Sequence, residues 1–275
     1  MRRHFAALLL LGLAMSGGRL DATAAALPWQ HLPEGRLAAV AAVPSGDRLT
    51  LDDGTPVVLA GLRAPRDAAA NGEAAEAGYA AAHAALAGLA LQRTVRLYGP
   101  DGARDRHGRS IAHAVVIGTV GDPDEWLQAA MLSRGMARAY PLAGEHPALA
   151  AAMLAGEADA RAAGRGLWRQ ADYGIRTALQ PDRIPAGFQL VEGRVLAIGE
   201  SANSLFLNFG TDWRQDFTAV IERRDRGGFP EGLRSLQSMQ GRFVRVRGSV
   251  FRYGGPAIRV RHRYAIEVLE QEQER

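Results

Sequence analysis

Apolar and polar positions alternate along the first third of the chain in short runs broken by turn residues. Residues 37–43 and 49–51 flank Pro44-Ser45-Gly46-Asp47, and residues 57–62 follow the turn Asp52-Asp53-Gly54-Thr55. Short valine- and leucine-rich runs bounded by Gly, Pro and Asp predict strands. Pro65 closes the third run, because proline cannot donate to a ladder. The alanine-rich stretch 69–91 predicts a helix from propensity alone. Residues 91–98 and 111–117 read as two more strands around the polar loop 99–109. Asp122-Pro123-Asp124 has the composition of a helix start, with a capping acid and proline in the first turn, so a helix is expected over 124–135. A further helix is expected over 148–163, ending at Gly164-Arg165-Gly166-Leu167-Trp168. Strands, helix, strands and two helices describe a small β-barrel with helical cover, an α+β arrangement.

The texture changes after Gln180-Pro181-Asp182-Arg183-Ile184-Pro185-Ala186-Gly187, which carries two prolines and no periodicity and so predicts a domain boundary. Residues 188–198, 204–209 and 217–221 read as strands, 232–239 as a short helix, and 242–252, 257–260 and 264–269 as further strands. Five or six strands with one small helix predict a second compact barrel of the oligonucleotide/oligosaccharide-binding (OB) type. The expected division is 1–26, 34–169, a linker over 170–187, and 188–270.

Composition narrows the function classes. Arg2-Arg3-His4, an apolar run over 5–15 and the small residues of 21–26 have the layout of a secretory signal. The chain is therefore expected to be exported, periplasmic or secreted, with no stable membrane span after cleavage. The absence of cysteine excludes disulfides, a thiol nucleophile and a cysteine-zinc site. The seven histidines show no pair at ligand spacing, Ser45 has no evident base partner, and no glycine-rich nucleotide loop occurs. Lysine is also absent, so all 33 basic side chains are arginine, whose planar fork matches phosphate oxygens. The net charge of +4 permits a polyanionic partner without requiring one.

Residues 37–168 resemble the staphylococcal nuclease (thermonuclease-like) family through five ordered matches. Ser45-Gly46-Asp47-Arg48 stands where that family has Asp-Gly-Asp-Thr. Val58 to Arg66 (VLAGLRAPR) stands where it has Arg-Leu-x-Gly-Ile-Asp-x-Pro-Glu. Asp105-Arg106-His107-Gly108-Arg109 is similar to its Asp-x-Tyr-Gly-Arg, residues 132–140 to its Leu-Val-x-x-Gly-x-Ala helix end, and Gly166-Leu167-Trp168 to its closing Gly-Leu-Trp. The resemblance implies an OB barrel with helices and a phosphodiesterase site. That site has calcium held by carboxylates, a glutamate assisting water, and two arginines neutralising phosphoryl charge.

The carry-over is partial. Asp47 keeps the second acid of the metal turn, but Ser45 replaces the first, and Arg109 is the retained arginine of the pair. Val58 replaces the other arginine, Arg63 replaces a metal carboxylate, and Arg66 replaces the glutamate. Losing one transition-state donor typically costs about 10²–10³-fold in rate. Little or no catalysis is therefore expected, with Ca²⁺ a cofactor only if hydrolysis survives through Asp47, Arg109 and the neighbouring Asp67. Arg63, Arg66 and Arg109 are instead candidate phosphate ligands; the bland alternative pairs them with nearby acids.

In the second half, residues 242–263 carry seven arginines and no acid, interleaved with Phe243, Phe251 and Tyr253. Arg245, Arg247, Arg252, Arg259 and Arg261 are candidate contacts for single-stranded nucleic acid or another polyanion. Alternation would equally place such arginines outside on any half-exposed strand. Trp213 and Phe209 read as packing residues. Three functions stay open: a nucleic-acid-binding pseudoenzyme, a calcium-dependent nuclease, and a cell-envelope scaffold binding a protein partner.

Overall fold

The computed structural model describes residues 27–67, 75–100 and 102–269. The signal-like segment 1–26, the tail 270–275 and the first part of the expected helix 69–91 lie outside the described residues. Among the described residues, no helix is long and apolar enough to cross a membrane.

The first strand, β1 (Glu34–Ser45), changes its buried phase midway. Ala38 and Val40 point inward, then Val43 and Ser45. A register shift between Val40 and Ala42 causes this, because one extra residue moves every later side chain to the other face. β2 (Arg48–Leu51) and β3 (Pro56–Leu59) bury Leu49, Leu51, Val57 and Leu59 by simple alternation. The expected third strand does not run on to residue 62. Gly61 adopts φ +72, and a Cβ there would lie 2.6 Å from the Met153 methyl. The chain turns at this point and β4 (Leu62–Arg63) leaves the barrel. The helix α1 (Tyr79–Ala90) follows, then β5 (Thr94–Tyr98) and β6 (Ser110–Val116). The strand order β3-β2-β1-β5-β6 closes through a parallel β3–β6 pairing, giving a five-stranded barrel.

The expected helix start at Asp122-Pro123-Asp124 is not observed. Asp124 instead accepts the Gly118 N–H at 2.9 Å and Asp122 accepts the Thr119 hydroxyl at 2.9 Å, folding residues 118–124 into a turn. A short β7 (Glu125–Trp126) then precedes α2 (Leu127–Ser133). Gln128, fully buried on α2, accepts from Ala114 N–H and donates to Ala112 C=O, fastening the helix to the barrel. β8 (Arg138–Ala139) pairs with β4, and α3 (Pro147–Ala162) covers the barrel end.

The expected linker is built into the second domain. β9 (Arg176–Thr177) pairs in parallel with β10 (Gly187–Arg194), and Ala178 and Ile184 are buried in the second core. β10 and β11 (Ala197–Glu200) are two pieces of one expected strand, interrupted at Val195-Leu196. β12 (Ser204–Asn208), β13 (Thr218–Glu222), the short α4 (Gly232–Gln237), β14 (Phe243–Tyr253), β15 (Gly255–Arg259) and β16 (Ile266–Val268) complete the chain. β10 pairs with β14 and β11 with β12, while β13 and β15 run parallel. This second barrel repeats the connectivity of the first, with its own core of Val191, Leu205, Leu207, Phe217, Ile221, Val246 and Ile258.

Charged and aromatic side chains join the two barrels. Arg247 of β14 is 1 % exposed and donates to Ala139 C=O (2.6 Å) and Glu157 (3.0 Å) of the first domain. Arg138 reaches the other way, to Phe188 C=O, and Tyr140 packs edge-on against Phe188 with centroids 5.2 Å apart.

Candidate functional site

The turn that carries Asp47 is held from below. A two-residue turn, Gly46-Asp47, joins β1 to β2 through the Ser45–Arg48 pair. A Cβ at Gly46 would sit 2.8 Å from the Ala82 Cβ and 2.9 Å from the Ala64 Cβ. Glycine here and alanine on α1 let the turn rest on the helix. The Tyr79 hydroxyl donates to Pro44 C=O and the His83 ring meets Val43 C=O at 2.8 Å, which locks the same contact. His83 is thus structural.

Asp47 is 8 % exposed, accepts the Ser45 hydroxyl at 2.8 Å, and has Arg48 Nε at 3.6 Å. Pairing across β2, β3 and β6 puts Arg48, Val58 and Ile111 in one row, and Arg109 lies two residues before Ile111 on the same side. The loop before β6 is closed around Asp105. Its Oδ1 accepts the N–H groups of His107 (2.9 Å) and Arg109 (3.0 Å), and its Oδ2 accepts Arg109 Nε (2.7 Å). Gly108 supplies the left-handed residue, φ +76, that this loop requires. Burial pushes the Asp105 carboxyl up, but those hydrogen bonds and the Arg109 charge outweigh it and hold it at about 2. Asp105 is therefore an anion that orients Arg109.

These residues open onto a cleft of about 1460 Å³ between the two barrels. Ten arginines and four acids line it, and three of the acids are already engaged. Glu76 holds Arg66 (2.9 Å), Asp105 holds Arg109 (2.5 Å), and Asp47 faces Ser45 and Arg48. The alternative reading of Arg63, Arg66 and Arg109 as solvated or paired with Asp47 and Asp67 is met by other acids for two of them, Glu76 for Arg66 and Asp105 for Arg109. Asp67 is exposed, acts on the Tyr79 hydroxyl, and is not among the cleft-lining residues. Arg63 lies over the Tyr140 ring at 5.5 Å. No described carboxylate lies within ion-pair distance of Arg63, Arg183 or Arg261. Burial pushes the Tyr140 phenol up while the Arg63 and Arg261 charges push it down, so arginines from both domains act on one ring.

The five candidate arginines of the second domain separate. Arg245 and Arg247 do not stand outside on an alternating strand: they are 9 % and 1 % exposed. Arg245 pairs with Glu192 (2.6 Å) and Glu267 (3.3 Å), and Arg247 with Glu157 and Glu267. The first domain covers that side of β14, so both faces are buried and alternation no longer marks solvent. Arg259 and Arg261 line the cleft, whereas Arg252 is exposed beyond it. Phe209 is core, as expected, but Trp213 is 48 % exposed. The sequence reading missed Arg48, Arg138, Arg183 and Tyr140. A register for the 45–48 turn would have put Arg48 opposite Val58, whereas Arg183 had no local signal.

The fold implies calcium, and the donor set can be tested against it. Calcium takes about six to eight oxygen ligands, several of them carboxylate. At this turn the single carboxylate, Asp47, already takes the Ser45 hydroxyl and has Arg48 beside it. Among the described residues, no three His, Cys, Asp or Glu side chains form a group able to hold a metal. The residues present do not fit a calcium ion.

Residues 56–170 match the family model described as staphylococcal nuclease homologue. No curated protein matches the chain. The match begins at β3 and ends beyond the Gly166-Leu167-Trp168 turn, so it covers the α1, β6, α2 and α3 scaffold and the arginine-bearing segments 63–66 and 105–109. Together with the closed five-stranded barrel, whose first two strands precede the match, this supports a staphylococcal nuclease-like OB fold for the first domain.

Proposed function

We propose that the chain is an exported, nuclease-like protein that binds a phosphate polymer in the cleft between its two barrels, with little or no hydrolysis. The observation that carries this reading is the charge of the cleft, ten arginines against four acids, three of which are occupied. An isolated guanidinium in a concave, low-dielectric wall attracts phosphate more strongly than one on an open surface. Arg109 and Arg66 are held by carboxylates through one edge of the guanidinium, and each keeps further N–H donors for a ligand. Arg63, over the Tyr140 ring, and Arg261 both line the cleft and supply charge from the two domains. Hydrolysis lacks support because the acid that would activate water is Arg66 and a metal carboxylate is Arg63. Export is supported by the composition of residues 1–26.

The test incubates the full chain with single- and double-stranded DNA and RNA, with calcium or with chelator, following cleavage and retention on a gel. Retention without cleavage, indifferent to chelator and weakened by salt, is expected. The paired variant Arg63→Glu/Arg261→Glu should weaken retention and reduce the salt slope by about 1.4 for a single strand, the loss of two phosphate contacts. Calcium-dependent cleavage that disappears in Arg109→Ala would overturn the binding-only reading. Neither cleavage nor retention would favour an envelope protein as partner.

A further inference from the structure

The outer face of the second barrel carries a row of aromatic side chains that begins inside the cleft. Phe251 lines the cleft, and Tyr253, two residues on along β14, points to the same side. Tyr253 is 45 % exposed and stacks on Phe206 of β12, with centroids 5.8 Å apart and planes at 19°. The Trp213 ring is also 5.8 Å from Tyr253, tilted at 43° to it. These rings lie outside the second core, which Phe209 and Phe217 help to fill at 4.9 Å from each other.

Trp213 is presented by a rigid loop. Asp216 accepts the Asp212 N–H (2.8 Å), and Asp212 accepts from Arg214 N–H (3.0 Å) and the Gln215 amide (3.1 Å). The loop lies against Gly254, where a Cβ would meet Arg214 Cα at 2.8 Å and the Trp213 ring at 3.2 Å. Cations accompany the row: Arg214 over Trp213 and Arg259 over Phe251, each 4.9 Å from the ring. Exposed rings held in place at the mouth of an arginine-lined cleft match a strand whose phosphates are paired while its base faces are free. A duplex hides those faces in its own stack.

We propose that a nucleic-acid strand held in the cleft continues unpaired across the second barrel, its bases stacking on Phe251, Tyr253 and Trp213. This deepens the binding function above and rests on it. The test titrates the full chain with a single-stranded oligothymidylate of about 16 nucleotides, the matching duplex, and heparin. The oligothymidylate should bind at least tenfold more tightly than the duplex and quench Trp213 fluorescence. Trp213→Ala/Tyr253→Ala should lower its affinity roughly 10- to 100-fold, and Trp213→Phe/Tyr253→Phe should retain it but abolish the quench. Both pairs are surface changes, so unaltered circular dichroism and melting will separate lost contact from lost fold. Undiminished binding by the alanine pair, with binding lost in Arg63→Glu/Arg261→Glu, overturns the aromatic track and leaves the cleft. Equal binding of heparin, duplex and oligothymidylate overturns the unpaired strand. No binding by the unsubstituted chain overturns both readings.

Discussion

Replacing Arg247 by methionine removes a buried cation that joins the two barrels. The side chain is 1 % exposed and donates to Ala139 C=O, Glu157 and Glu267. Burial pushes its pKa down, but the flanking Glu157 and Glu267 carboxylates outweigh that and raise it, so it stays charged. Glu157, 1 % exposed in the unsubstituted protein, would be left with the Ala139 N–H (2.8 Å) and Arg161 at 3.8 Å. Removing one member of a buried pair typically costs about 3–5 kcal/mol, mainly through the charge left behind. Arg161 can close in, so the lower part of that range, about 3 kcal/mol, is expected. Adding Glu157→Gln neutralises the stranded charge and preserves an acceptor for Ala139 N–H. The double variant should therefore be more stable than Arg247→Met alone, with a coupling of at least about 1 kcal/mol. Urea unfolding of the four proteins measures this, and Arg247→Met should also split the transition as the barrels lose their tie. A cost below about 1 kcal/mol, or strictly additive substitutions, would refute the assignment of Arg247 as the tie.

Stability should also fall in mild acid through His262, which is buried against Tyr140. Burial, then the Arg247 and Arg261 charges, push its pKa down from 6.5 to about 4. The stabilisation is complete above the unfolded pKa and is lost as pH drops from about 6.5 to about 4, because only the unfolded chain takes up the proton. The loss is on the order of 3 kcal/mol, and urea midpoints at about pH 7.5 and about pH 4.5 should differ much less in His262→Gln. Gly46→Ala should cost about 1–3 kcal/mol, because its Cβ meets the Ala82 and Ala64 methyls and the helix backbone. Gly54→Ala, in open space at φ +79, should cost only about 1 kcal/mol. Equal costs in a melting comparison would mean that strain at Gly46 does not arise from the helix contact.

The sequence by itself determined the local elements and their order. Alternating valine and leucine fixed β2 and β3, because period two is a property of the strand alone, and a continuous apolar, β-branched run marked β6. Alanine propensity placed α1, and Asp105-x-x-Gly108-Arg109 closes its loop through bonds within five residues. The order of these pieces is what the family resemblance rests on. Helix starts were less legible: Asp122 and Asp124 had competing donors in Thr119 and Gly118, and the turn took them.

Only the tertiary structure decided which arginines line the cleft. In residues 242–263 all seven look alike in sequence, yet Glu157, 90 positions from Arg247, converts that one from a surface charge into a buried tie. Arg183, without any local signal, lines the cleft because the segment between the barrels folds into the second core. The physical reason is that a strand's pattern records which side is apolar but not what covers the other side. For β14 that cover is the first domain, and the contact of the two domains makes both the ion network and the cleft.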